Sequence, residues 1–136
     1  MESNGKPTIR VVAAVIEREG KYLITQRMPH AVMPLLWEFP GGKVEPGETD
    51  AVALARELAE EMAIAVRVRD ELMAVVQEYD EYIIDFHVYL CDMLSDTIQL
   101  VGINDCKWVT SEELDRYPFP AADQATVRAL IEDKPN

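Results

Sequence analysis

Three glutamates, Glu57, Glu60 and Glu61, stand close together in the segment GGKVEPGETDAVALARELAEEMAI, which runs from Gly41 to Ile64. At about 100° per residue in a helix, Glu60 falls near Glu57 and Glu61 on one arc. Ala51, Val52, Leu54, Ala55, Leu58, Ala59 and Met62 fill the opposite arc. An amphipathic helix needs one apolar face and one polar face. It does not need like charges at i, i+3 and i+4, which repel. A solvated acidic face is the ordinary account of such a run. The alternative is that a cation offsets the repulsion, and carboxylate oxygens are ligands of hard divalent ions such as Mg²⁺ held between a protein and phosphates. The glycines just upstream let a backbone come close to a metal or a phosphate.

The spacing favours the second account. Gly42 is followed after five residues by Glu48, and after seven more by Arg56-Glu57-Leu58, then Glu60-Glu61 and Ile64. This arrangement resembles the Nudix box, whose family hydrolyses nucleoside diphosphates linked to another group. One position departs. Ala63 stands where the family usually has a glycine that ends the helix in a left-handed conformation, a geometry that costs a residue with a Cβ about 1 kcal/mol.

The resemblance implies an α/β fold, an α/β/α sandwich with a mixed central sheet, formed by residues 1–136 as one domain. It implies metal ligation by Glu57, Glu60 and Glu61 with the Gly41 carbonyl, and Mg²⁺ as the ion, with Mn²⁺ as an alternative. Glu48 and Arg56 would tie the glycine loop to the helix. Either Glu57 or Glu60 would be the catalytic base. WEFPGGK before the box and PFPAADQ near the end look like the MutT branch, which acts on oxidised purine nucleoside triphosphates. In that branch an Arg after the second strand contacts phosphate, here Arg27, and the Phe39 region and a residue at the position of Asp123 grip the base. Relatives that favour oxidised guanine often carry Asn at the Asp123 position, and relatives acting on cytidine triphosphates carry Asp. Asp92 falls where the branch has an extra metal-binding carboxylate, and Lys43 is placed to reach a phosphate.

Phosphoanhydride cleavage by water needs charge neutralisation and in-line positioning. Divalent ions neutralise the phosphates and lower the pKa of the attacking water. The expected reaction is hydrolysis of a nucleoside triphosphate to the monophosphate and pyrophosphate. Other expectations for the same box are hydrolysis of ADP-ribose, a dinucleoside polyphosphate or capped RNA, and a module that binds a nucleotide without catalysis. Degenerate modules lose box glutamates, and this chain keeps them all.

Composition narrows the partners. The net charge is −12, from 25 acids against 13 bases. Nucleic acids and anionic membranes call for a basic surface. A triphosphate can bind so acidic a chain if metal ions stand between them. No apolar run reaches the ~20 residues of a membrane span, and MESNGKPTIR lacks the apolar segment of a signal peptide. Cys91 and Cys106 are too few for a disulfide framework and read as small buried thiols. Cytoplasm is the expected compartment, and a monomer or a homodimer the expected state.

These residues need a scaffold. Thr8 to Glu19 and Lys21 to Gln26 read as a hairpin about Gly20. Met28 to Leu36, with Pro29 and Pro34, reads as a loop. Thr49 or Asp50 caps a helix to about Met62. Ile64 to Tyr79 and Tyr82 to Leu94 read as long strands about an Asp80-Glu81 tip, and Ser95 to Asp105 as turns. Lys107 to Val109 is a short strand. Thr110 to Glu113 has capping-box spacing. Ala121 to Asp133 is a last helix with Val127, Leu130 and Ile131 buried. Trp37 and Trp108 read as core, His30 as exposed, and His87 as a strand residue outside the base pocket.

Overall fold

A computed structural model describes residues 5–132. Its elements in chain order are β1 (Thr8–Arg18), β2 (Lys21–Gln26), β3 (Trp37–Glu38), β4 (Gly41–Lys43), α1 (Asp50–Met62), β5 (Val66–Glu78), β6 (Ile83–Met93), β7 (Asp105–Val109) and α2 (Gln124–Glu132). Short 3-10 turns span Ser111–Arg116 and Ala121–Asp123.

The apolar run VVAAVI makes β1 the centre. A strand buried on both faces reads as a continuous apolar stretch rather than an alternating one. Val12, Ala14 and Ile16 pack on one face with Leu54, Leu58 and Met62 of α1. Val11, Ala13 and Val15 face the other side, towards Val127 and Leu130 of α2. The molecule is therefore the expected α/β/α sandwich. The sheet runs β3-β2-β1-β6-β5, with β4 beside β1 and β7 beside β2. It is mixed, because β6 pairs with β1 in parallel and with β5 antiparallel. β1 meets β4 through Val11 to Ala13 and β2 only through Glu17 and Arg18. Ile9 and Val11 to Ala13 of β1 line a cleft together with Glu57 and Glu61.

Thr49 caps α1 through its side chain, and Asp50 is the first helical residue. Asp50 is fixed by both arms of Arg10 at 2.7 Å and by the Tyr89 hydroxyl. At the other end Ala63 has φ 57° and ψ 37°, the left-handed conformation that its position in the motif demands. The carbonyls of the last turn are satisfied from the chain beyond β6. Val101 and Gly102 both donate to Glu61 O, at 3.1 and 3.0 Å, and Gln99 donates to Met62 O at 2.9 Å. The expected final helix starts later than Ala121, because Ala121–Asp123 is a tighter turn that buries Ala122 and Asp123. Thr126 and not Ile131 completes the buried stripe of α2 with Val127 and Leu130. Asp133, the expected end of that helix, lies outside the described residues.

Candidate active site

Arg56 organises the loop between β4 and α1. Its guanidinium holds Glu48 at 2.5 and 2.9 Å and donates to the Lys43 carbonyl at 3.1 Å. Glu48 in turn accepts from the Glu45 amide at 2.9 Å. The paired Arg56 holds the Glu48 carboxyl down to about 2, so it is ionised at any physiological pH. The expected tie between loop and helix is present.

Glycine matters at two points of β4, the strand that leads into this loop. A Cβ on Gly41 would run into the Val12 carbonyl, and one on Gly42 would overlap the Glu57 carboxylate. Backbone and carboxylate thus meet without an intervening side chain.

The three helix glutamates do not share one environment. Glu57 and Glu61 line a cleft of about 510 Å³, together with Arg27, Glu38, Lys43 and Asp123. Glu60 is exposed at the rim, where it pairs with Arg56 at 3.2 Å. Burial, then the nearby Glu38 and Glu57 charges, push the Glu61 carboxyl up to about 9, and its interaction with the Glu57 carboxyl adds to the rise. Burial also raises Glu57, although Arg56 opposes this. One oxygen of Glu61 is buried without a hydrogen-bond partner. Among the described residues no three carboxylate, imidazole or thiolate side chains converge on one point. The residues nonetheless fit a divalent cation. Glu57 and Glu61 are adjacent carboxyls of the donor type such ions take, the orphaned Glu61 oxygen lacks a partner, and Gly42 leaves the approach open.

Asp92, expected as a further ligand, stands elsewhere. It pairs with Arg67 at 3.3 Å and Arg69 at 3.1 Å. Register places Gly42 opposite Val12 and Val12 opposite His87. Asp92 is five residues further along β6, about 16 Å at 3.3 Å per residue. His87 lies on the α1 side of the sheet, between Glu71 at 2.6 Å and Asp85 at 2.9 Å, outside the cleft as expected.

The cleft is also lined by Asp123, which is 4% exposed. Burial first, then Glu38, raises its carboxyl well above the ordinary range, although the Phe39 amide donates to it. Its Oδ1 has no partner. The Phe39 ring is buried against Phe119, at a centroid distance of 5.4 Å. Arg27 is braced between the Val32 carbonyl at 2.6 Å and Glu38 at 3.0 Å.

Glu38 is the member of the cleft that motif reasoning passed over. Burial raises its carboxyl against the pull of Arg27. Its signal in the sequence was the acid between two aromatic residues in WEFPGGK, in a strand only two residues long.

A family model described as "NUDIX domain" matches residues 11–129 of the chain. The chain belongs to the Nudix family. It is 38% identical over 123 residues to the CTP pyrophosphohydrolase of Escherichia coli K12, covering 90% of this chain and 91% of that protein. It is 37% identical over 134 residues to the 8-oxo-dGTP diphosphatase of Haemophilus influenzae, covering 96% and 97%. The crystal structure of the MutT protein from Methanosarcina mazei Go1 superposes with a TM-score of 0.84 at 28% identity, covering 95% and 96% of the two chains. This Nudix chain is thus a hydrolase related to enzymes of nucleotide anhydrides, and its fold is theirs. No helix among its described residues is long and apolar enough to cross a membrane.

Proposed function

We propose that the chain is a Mg²⁺-dependent nucleoside triphosphate pyrophosphohydrolase that releases a monophosphate and pyrophosphate and clears damaged or unwanted nucleotides from the cytoplasmic pool. One observation carries the reading. A single cleft is lined by two carboxyl groups, Glu61 and Asp123, each with a buried oxygen lacking a partner. The first suits a cation and phosphates, and the second suits the edge of a base. Two unpaired thiols, Cys91 and Cys106, accord with a reducing compartment. The working unit is a monomer or a homodimer, and no nucleic-acid partner is assigned.

Glu57 and Glu61, with Glu60 from the rim and the Gly41 carbonyl, would hold the divalent ion. Bound there, the ion supplies charge neutralisation at the phosphates and activation of water. The chain's own groups do the rest. Arg27 and Lys43 face the cleft as cations for phosphate oxygens. Glu48 and Arg56 fix the loop that follows Gly41 and Gly42. Of the two candidate bases, Glu57 lines the cleft whereas Glu60 pairs with Arg56 at the rim, and we assign the base to Glu57.

Base choice rests on Asp123. An ionised carboxylate only accepts hydrogen bonds, while a protonated one also donates. Deep burial favours the protonated form. A protonated Asp123 can donate to O6 of oxidised guanine and accept from its N7–H, so oxidised purine triphosphates come first and cytidine triphosphates second. The test is kcat/KM for 8-oxo-dGTP, dGTP, CTP, dCTP and ADP-ribose with Mg²⁺, Mn²⁺ or chelator, with products identified. Metal-dependent release of pyrophosphate is expected. Nucleotide binding without turnover in either metal would make the chain a binding module, and faster turnover of ADP-ribose would overturn the substrate class.

A further inference from the structure

A base held at Asp123 is gripped best with a flat partner for its face, and the buried Phe39 ring is not free to be one. The Phe39 ring is committed to Phe119 and is 2% exposed. Phe86, also on the wall, is 4% exposed. The half-buried aromatic side chains lining the cleft are Tyr79 and Tyr82, on either side of the β5–β6 turn. Their ring centroids lie 5.1 Å apart, tilted by 40°. The turn does not need the rings, because the Tyr79 amide closes it on the Tyr82 carbonyl at 2.8 Å. Tyr79 is also tied across the cleft. It meets the Ala122 backbone, one residue before Asp123. The hairpin is therefore braced against the very loop that carries the base-edge carboxyl.

We propose that Tyr82, braced by Tyr79, is the stacking surface that grips the base of the nucleotide and so favours planar purine and pyrimidine substrates. The assignment rests on the reading of the cleft as a nucleotide site and adds which residues select for a base. Two tyrosines without charge or fixed donors on the base face accept any π-surface, so they set affinity for a base while Asp123 sets which base.

Two measurements test this in the full chain. The first is the ratio of kcat/KM for a nucleoside triphosphate to that for base-free ribose 5-triphosphate in wild type, Tyr82→Ala, Tyr82→Phe and Tyr79→Phe. Stacking on one aromatic residue is lost as about a tenfold change. Tyr82→Ala should lower the ratio about tenfold, mainly through KM, and Tyr82→Phe should keep it. Tyr79→Phe should lower it less, since the ring stays and only the brace to Ala122 goes. The second is calorimetric binding of cytidine and 8-oxo-guanosine monophosphates in chelator, where Tyr82→Ala should weaken at least one by about tenfold. An unchanged ratio, an equal loss on the base-free substrate, or no monophosphate binding by wild type would overturn the assignment. If wild type hydrolyses no triphosphate yet binds monophosphates through Tyr82, the proposed hydrolysis fails and the stacking role stands.

Discussion

Gly42 and the Glu57 carboxylate occupy adjoining space, so that a single Cβ on Gly42 would overlap the carboxylate. The end of the Glu57 side chain, which Arg56 contacts at 3.3 Å, would have to move to make room. The glycine of the strand and the acid of the helix are thus one device. Gly42→Ala should displace the Glu57 carboxylate and cut kcat by about 10²-fold, a few kcal/mol of transition-state stabilisation. Thermal stability should fall far less. Steady-state kinetics beside a melting curve checks this, and an active Gly42→Ala enzyme would show that Glu57 works from another position.

Removing the helix carboxylates one at a time separates cleft from rim. Glu61→Gln takes away a buried group aimed into the cleft, and Glu60→Gln takes away an exposed one paired with Arg56. Both should lower turnover by about 10² or more if both hold metal in the working enzyme. Near-normal turnover in both variants would remove the proposed metal site, and loss in Glu61→Gln alone would confine it to Glu57 and Glu61.

The pH dependence of the metal-free protein follows from the same carboxyl. Glu61 rises from 4.5 to about 9 on folding, so the folded chain keeps a proton that the unfolded chain releases. Its contribution is full below about 4.5 and is lost as pH climbs towards 9, at up to about 1.4 kcal/mol per pH unit. Asp50 acts in the opposite sense. Arg10 lowers it to about 2, so its stabilisation is present above 3.8 and fades as pH falls towards 2. Denaturant midpoints in chelator should therefore decline from pH 5 to 9. Glu61→Gln should flatten the slope without abolishing it, since Asp123 and Glu38 are raised too. An unchanged slope would place the retained proton elsewhere.

Ala63 sits at φ 57° with its amide donating to Ala59 O at 3.0 Å. A Cβ there is strained, by about 1 kcal/mol. Ala63→Gly should relieve that strain and lose part of the gain to unfolded-state entropy, leaving a melting temperature equal to wild type or a few degrees higher. A clear drop would mean that Gln99, Val101 and Gly102 already hold this exit so firmly that only the entropy term is felt.

Asp123→Asn replaces a buried carboxyl by an amide that donates and accepts at any pH. The substitution should reorder 8-oxo-dGTP, dGTP, CTP and dCTP in kcat/KM by about 1–3 kcal/mol of discrimination. A uniform change across all four would show that Asp123 does not read the base.

The sequence by itself determined the helix and what stands on it. Motif spacing and amphipathic period located α1, its Thr49 cap, the Glu48–Arg56 tie and the need for a left-handed Ala63, because all of these are set by residues near one another in the chain. The apolar run in β1 marked a strand, and only the packing showed it to be covered on both faces. Tertiary structure decided which groups meet. Periodicity put Glu57, Glu60 and Glu61 on one arc, yet only packing against β4 turned Glu57 and Glu61 inward while Arg56 drew Glu60 to the rim. The parallel pairing of β1 with β6, a contact between distant segments, carried Asp92 away from the glutamates and into the grip of Arg67 and Arg69. The same pairing brought Tyr79 and Tyr82 to the cleft. Glu38 joined it through a two-residue strand too short to carry any period. The burial that raises the Glu61 and Asp123 carboxyls belongs to no local stretch, since desolvation is the sum of everything folded around a group.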